Sequence, residues 1–408
     1  MKLLFVTPQL PWPPSQGTAL RNFHLLKAAA GRHEVDLLSF ADLTPWPAPT
    51  AGPLTPNHSP TRGEGSPTYH PPPRPAKRAG KGSPTTAGPP ASVPPSRVGR
   101  GGRGVGPLSD LCRRIETVPV PRRPTTLRLR DLTLGWADME RRLWSPAFAA
   151  RLAEMLRTGR YDAVQLEGFE VAGYLLGPAA LRAEAHGLAP WQTINSELAT
   201  RNSELPRRQA PRLIFDDHNA EYRLQESAAR IDRANPRRWV RAAYSALQAR
   251  RLRAREALFC AAADACLAVS VEDAQALEVI VPGLGPTVVP NGVDVEAMPA
   301  PRPGAEPSLF FSGKLDYRPN IDACEWLVER VLPRVRTRFP AARVVLAGRD
   351  PAPPVQRLAR QGVEVTGALA DDELARRRAE AWVYVVPMRM GSGVRFKVLE
   401  AMAAGVPL

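Results

Sequence analysis

The sequence predicts an α/β protein made of two doubly wound, Rossmann-like domains, the second of them incomplete. Three observations carry this expectation. Short apolar runs ending in glycine or polar residues alternate with segments of helical spacing, as buried parallel strands alternate with their crossover helices. The alternation pauses near residue 290 and restarts at Ser308. A chain of 408 residues with 44% hydrophobic content is long enough to bury two cores of ordinary size.

The elements follow in order. Lys2-Leu3-Leu4-Phe5-Val6-Thr7 is an apolar run closed by turn chemistry; apolar residues at helical spacing fill 19–30, and Glu34 to Phe40 is the next strand, completing one βαβ unit. Residues 44–107 lose all apolar periodicity in favour of Pro, Gly, Ser, Thr and Arg, so they are expected to be a disordered insertion. A polyproline-type arm or a translated artefact would have the same composition. A second irregular insertion is expected at about 184–211. Tyr161 to Glu167 and Arg212 to Asp217 are strands with polar C-terminal ends, and Arg/Ala/Leu helices follow at roughly 236–264. Ala265 to Ser270, a helix over 271–280 and Thr287 to Gly292 complete a first domain at 1–290 and enter a linker at 291–307. A second α/β domain, 308–408, contains strands at 308–313, 343–348, 363–367 and 381–387. Its helices are expected at 321–339 and from about Asp371. The chain stops after Gly405-Val406-Pro407, where another apolar strand is expected to begin, which marks this domain as truncated.

Composition narrows the function classes. No run approaches the roughly 20 apolar residues of a membrane helix, and Pro8 interrupts the N-terminal run too early for a signal peptide, so a cytoplasmic enzyme is expected. Cys112, Cys260, Cys266 and Cys324 form neither a CxxC pair nor a zinc-type cluster. The net charge of +15 is unaccompanied by any nucleic-acid module. It suits a diphosphate-bearing substrate or peripheral contact with anionic lipid, or simply reflects arginine-rich coding bias.

Ligands of doubly wound sheets bind outside the carboxyl ends of the strands, and four polar sets lie at such ends. In Pro13 to Thr18, amides at a helix start can bind phosphate with Gly17 permitting close approach, or the segment is an ordinary turn. In Asp216-Asp217-His218-Asn219-Ala220-Glu221, His218 can bond a substrate hydroxyl or phosphate, exchange a proton, or be purely structural. The two aspartates can serve a divalent metal, though turn and cap roles suit them better. In Ser312 to Asn320, Lys314 and Arg318 offer cations to a diphosphate or form a solvated face, and Asn320 can cap the next helix. In the stretch Gly391 to Glu400, Gly391 and Gly393 form a permissive loop, Arg395 and Lys397 are cations, and the Glu400 carboxylate suits paired ribose hydroxyls or simply complements a helix dipole.

Together these segments resemble a known family. Pro387 through Pro407 is similar to the donor-site motif of family 4 glycosyltransferases with the GT-B fold, and Val289 to Asp294 is similar to that family's linker; the resemblance implies two domains facing each other across a cleft, 1–290 on the acceptor side and 308–408 binding the nucleotide-sugar donor. Phe311 to Leu315, Arg318-Pro319-Asn320, Leu346-Ala347-Gly348 and Val365-Thr366-Gly367 fit in order. The N-terminal Pro-rich glycine loop and Asp217 to Tyr222 look like the exopolysaccharide-type sugar transferase subgroup. The resemblance implies that Glu400 binds the donor ribose and that Arg395, Lys397 and Lys314 lie near its diphosphate. It also implies that Gly17 approaches the phosphates and that His218 sits beside the transferred sugar. It further implies a nucleotide diphosphate sugar as substrate, a glycan or lipid-linked acceptor, retention of configuration, and neither a metal nor a cofactor. One departure stands out: Ser392 occupies the place of the first acid in the family's paired-glutamate pattern. A nucleotide-sugar epimerase on the same fold and a non-catalytic binding protein are the alternatives.

Overall fold

The computed structural model describes residues 1–14, 17–41, 106–176, 210–296, 298–360, 362–390 and 395–408. Both expected insertions lie largely outside the described residues.

The first sheet contains β1 (Lys2–Thr7), β2 (Glu34–Ala41), β3 (Arg114–Pro119), β4 (Ala163–Glu167), β5 (Arg212–Asp217), β6 (Ala265–Ala268) and β7 (Thr287–Val288). Every pairing is parallel and the order is β3-β2-β1-β4-β5-β6-β7, the dinucleotide-fold order with one strand added. Strand β1 is buried from Leu3 through Thr7, which is why it reads as a continuous apolar run: helices cover both faces. One face packs Phe40, Phe148, Phe169, Phe215 and Phe259; the other packs Phe5, Phe23, Leu26 and Leu37.

The second sheet contains β8 (Ser308–Ser312), β9 (Arg343–Ala347), β10 (Val363–Gly367) and β11 (Val383–Tyr384), all parallel, in the order β10-β9-β8-β11. In both sheets the order reverses beside the first strand. Each therefore has a switch point, between β1 and β4 and between β8 and β11, where helices diverge to opposite faces and open a crevice.

Several expectations shift. The helix expected at 321–339 begins at Arg318, with Pro319 in its first turn where the missing amide hydrogen is harmless, and passes through a π-type segment at Leu327–Val331. Asn320 is thus inside the helix rather than its cap; Tyr317 takes that place. The strand expected over 381–387 pairs only at Val383 and Tyr384. Strand β3 and the helix Pro146–Gly159 were not anticipated. The helix has a plain start signal, since the Ser145 hydroxyl accepts from the Phe148 amide and Pro146 follows.

Candidate active site at the switch points

Strands β4 and β5 run side by side with Glu167 opposite Asp216, so the first switch point gathers Glu167, Asp216 and His218. His218 Nε2 lies 2.9 Å from Glu167 Oε2, and Glu167 is fully buried. Gln165 donates to the other oxygen at 2.6 Å, and the Asn22 amide, in the orientation that satisfies both its ends, donates to Oε2 at 2.8 Å. Burial alone would depress the imidazole pKa. The Glu167 hydrogen bond and the Asp216 and Glu167 charges outweigh it and raise the pKa above the usual 6.5. The shift favours the protonated ring, in which both nitrogens donate.

Asp216 is raised by burial and by the Glu167 charge, and is countered by His218 and Arg21. Arg21, on the helix Gly17–Ala30, grips Asp216 with two nitrogens at 3.1 and 3.0 Å. Its third nitrogen donates to the Val289 carbonyl at 2.7 Å and to Asn291 at 3.2 Å, at the head of the linker.

The adjacent aspartates do not form a metal pair, because successive strand residues face opposite ways. Asp216 faces Arg21, whereas Asp217 points into a buried acidic group with Glu256, Glu221 and Asp273. Burial and those like charges hold it well above the ordinary carboxylate range. Both Asp217 oxygens lack a hydrogen-bond partner among the described residues. Among the described residues, Glu167, Asp216 and His218 have ligand atoms mutually within 4.8 Å, but here the imidazole and Arg21 occupy the two carboxylates.

On the other side of the cleft the helix Phe396–Ala403 points its N-terminus at the crevice beside β8. Lys397 leans over the Phe311 ring at 4.2 Å and donates to Asn320 at 3.1 Å. Gly313, directly after β8, leaves room for it: a side chain there would place Cβ 2.9 Å from Lys397 Nζ and 2.8 Å from the Asn320 amide. Burial, the main cause, depresses the Lys397 ammonium from 10.5 to about 8. Arg395 is likewise lowered by burial and donates to the Met390 carbonyl at 3.1 Å. Glu400 accepts from Arg378 at 2.7 Å, and Lys314 pairs with Asp316 at 3.0 Å on a half-exposed surface.

Gly17, at the start of its helix, faces this group directly: a Cβ there would lie 2.8 Å from the Phe396 ring. Two helix N-termini, from opposite sheets, converge on one crevice. Arg318 does not join them. Its guanidinium is held by Asp232 and, at 2.8 Å, by Ser245, both on the first sheet's helices, so it clasps the two halves instead of offering charge to a ligand. Gly391 and Gly393 lie outside the described residues. Sequence reasoning missed Arg21 and Glu167 as site residues; Glu167 was noted only as a polar strand end, and a lone arginine on a helix gives no signal.

Residues 306–408 match the family described as glycosyl transferases group 1. A phosphatidyl-myo-inositol mannosyltransferase of Propionibacterium freudenreichii subsp. shermanii is 30% identical over 152 residues, which are 36% of this chain and 37% of that protein. The match thus spans little more than a third of the relative's length. The catalytic domain of starch synthase IV from Arabidopsis thaliana, solved with ADP and acarbose, has a TM-score of 0.51 at 13% identity, covering 100% of this chain and 82% of that one. A UDP-forming α,α-trehalose-phosphate synthase from Burkholderia vietnamiensis has a TM-score of 0.50 at 12% identity, covering 99% and 82%. At these identities the likeness concerns the fold, which is GT-B: two Rossmann-like units across a cleft.

Proposed function

We propose that the protein transfers a sugar from a nucleotide diphosphate sugar to a hydroxyl of a glycan or lipid-linked acceptor in cell-surface polysaccharide synthesis, with retention of configuration and without a metal ion. The observation that carries this is the convergence of the helix starts at Gly17 and Phe396, with Lys397 and Arg395 beside them, at the crevice where both sheets reverse order. Helix-end amides and partly desolvated cations form a preorganised environment for a leaving diphosphate, whose charge grows as its bond to the anomeric carbon breaks. The family match over 306–408 supports placing the donor on the second sheet. The starch synthase neighbour was solved with ADP, and the trehalose-phosphate synthase is UDP-forming.

In this reading Glu400 holds the ribose, Lys397, Arg395 and Lys314 meet the diphosphate, Gly17 lets the first sheet close on it, and His218 donates to the sugar. Acceptor and donor are positioned by opposite halves, so most of the rate comes from orientation and electrostatic stabilisation. The basic surface suits a peripheral position on anionic membrane; no helix among the described residues is long and apolar enough to cross one.

The test is nucleotide release from a panel of nucleotide sugars with a mixed glycan and lipid-linked acceptor extract, and with chelator present. Release with at least one donor is expected, dropping at least tenfold in Glu400→Ala. No release with any donor, or equal release by the variant, overturns the proposal. Conversion of the donor without acceptor would assign an epimerase instead.

A further inference from the structure

A cavity of about 320 Å³ opens between the segment after β3 and the helix Asp138–Arg142. Among the described residues five arginines line it, Arg122, Arg123, Arg130, Arg141 and Arg142, together with Trp144, and Asp131 is the one acidic residue. That volume is about ten water molecules' worth and falls at the small end of ligand pockets.

The charges are poorly balanced. Asp131 serves Arg123 at 2.9 Å while Arg130 and Arg141 stand at 3.7 and 3.8 Å, so one carboxylate is shared among three guanidiniums. Asp138 takes the second edge of Arg123 at 2.8 Å, and Glu170 takes Arg142. Even with those two outer acids counted, cations exceed anions by two around the cavity. Burial lowers the Arg141 guanidinium, and the Arg123 and Arg130 charges add to that, opposed by Asp131 and Glu140. Arg141 also lies against the faces of Trp136 and Trp144, at 5.0 and 5.1 Å, which fixes its fork. A preorganised, under-neutralised guanidinium cluster matches the geometry of phosphate oxygens.

The cavity adjoins the reaction site. Arg142 is paired with Glu170, and Glu170 Oε2 and His218 Nδ1 flank the same point beside Gly168, at 3.4 and 3.3 Å. Building on the transferase reading above, we propose that this arginine pocket is an acceptor subsite for a phosphate or diphosphate group. The acceptor is then an anionic, phosphate-bearing molecule whose hydroxyl is presented beside His218. Leu127 lines the pocket at its exposed side, next to open solvent, so the phosphate can be carried by a lipid or by a soluble molecule.

The test compares the full chain with the double variant Arg122→Gln, Arg130→Gln, whose side chains are exposed and whose fold is checked by circular dichroism. One arm titrates glycerol 3-phosphate by calorimetry. The other sediments the protein with phosphatidylcholine vesicles, with and without phosphatidic acid. Binding in at least one arm is expected for the wild type, and at least a tenfold loss in that arm for the variant; the arm that responds identifies the soluble or the lipid source. No wild-type binding in either arm, or equal binding by the folded variant, overturns the proposal. Uridine, guanosine and adenosine diphosphate titrated into the wild type test the donor site separately. A chain that binds none of them yet shows the arginine-dependent phosphate binding would leave the pocket standing while the transferase reading falls.

Discussion

Replacing Lys397 by methionine is expected to make the unliganded protein more stable and to weaken the proposed donor site at once. The ammonium is pressed between Phe311 and Asn320, and burial depresses it from 10.5 to about 8. A shift of that size corresponds to about 3 kcal/mol of disfavour for the charged form near neutral pH. Methionine fills the same space without the charge but gives up the bond to Asn320, worth about 1 kcal/mol, so the net gain is about 2 kcal/mol. The pH dependence carries the same sign. Between about pH 8 and 10.5 the unfolded wild type binds a proton that the folded form has lost. Lys397 therefore makes wild-type stability rise with pH across that window, and the variant lacks this rise. A diphosphate, by contrast, needs the charged form: its affinity for the wild type falls as pH passes about 8, and the variant loses about 10- to 100-fold at pH 7, the worth of one charge-assisted bond. Urea unfolding at pH 7 and pH 9, with calorimetric titration of nucleoside diphosphates, measures both effects. A variant less stable than wild type that binds every nucleoside diphosphate undiminished would refute the reasoning.

Three further outcomes are expected. Gly17→Val drives a side chain into the Phe396 ring, so nucleotide release should drop at least tenfold while the melting temperature moves only a few degrees; adding Phe396→Ala should recover part of it, and no recovery would deny the steric cause. Asp232 and Arg318 join the two halves, so a double-mutant cycle of Asp232→Ala and Arg318→Ala should give a coupling of about 1–3 kcal/mol in urea unfolding, against zero for independent sites. Glu167→Gln removes the main counterweight to burial at His218, so nuclear magnetic resonance titration of the imidazole should show its pKa falling. The stability this pairing supplies is full below the usual 6.5 and is lost as pH rises through the raised folded value; an unmoved imidazole pKa would show that Glu167 does not set it.

Much of the fold was legible because parallel strands buried on both faces leave unbroken apolar runs, as in Leu3 to Val6 and Val344 to Leu346. Strand β3 was hidden because Arg114 and Glu116 break its pattern, and Glu116 is nonetheless buried against Arg151 at 2.5 Å. Strand β11 was overestimated because apolar composition extends past the two residues that pair. In the site, Lys397 and Gly17 stood out through glycines and cations at helix starts. The partnership of Arg21 with Asp216, and of Glu167 with His218, was not visible. Each joins residues brought together by neighbouring strands and a crossover helix, a juxtaposition no local spacing encodes. Arg318 misled for the same reason, since its partner Asp232 lies 86 positions away on the other sheet's helices.

The grip of Arg21 on both Asp216 and the Val289 carbonyl has a mechanical corollary. It pins the root of the linker to the strand end that precedes His218, so the pivot of any swing between the halves lies beside that histidine. Rotation about such a pivot has a short lever arm at His218 and a long one at the far rim of the cleft. Opening would therefore widen the rim for exchange of large substrates while the surroundings of His218, Glu167 and Asp216 hardly move.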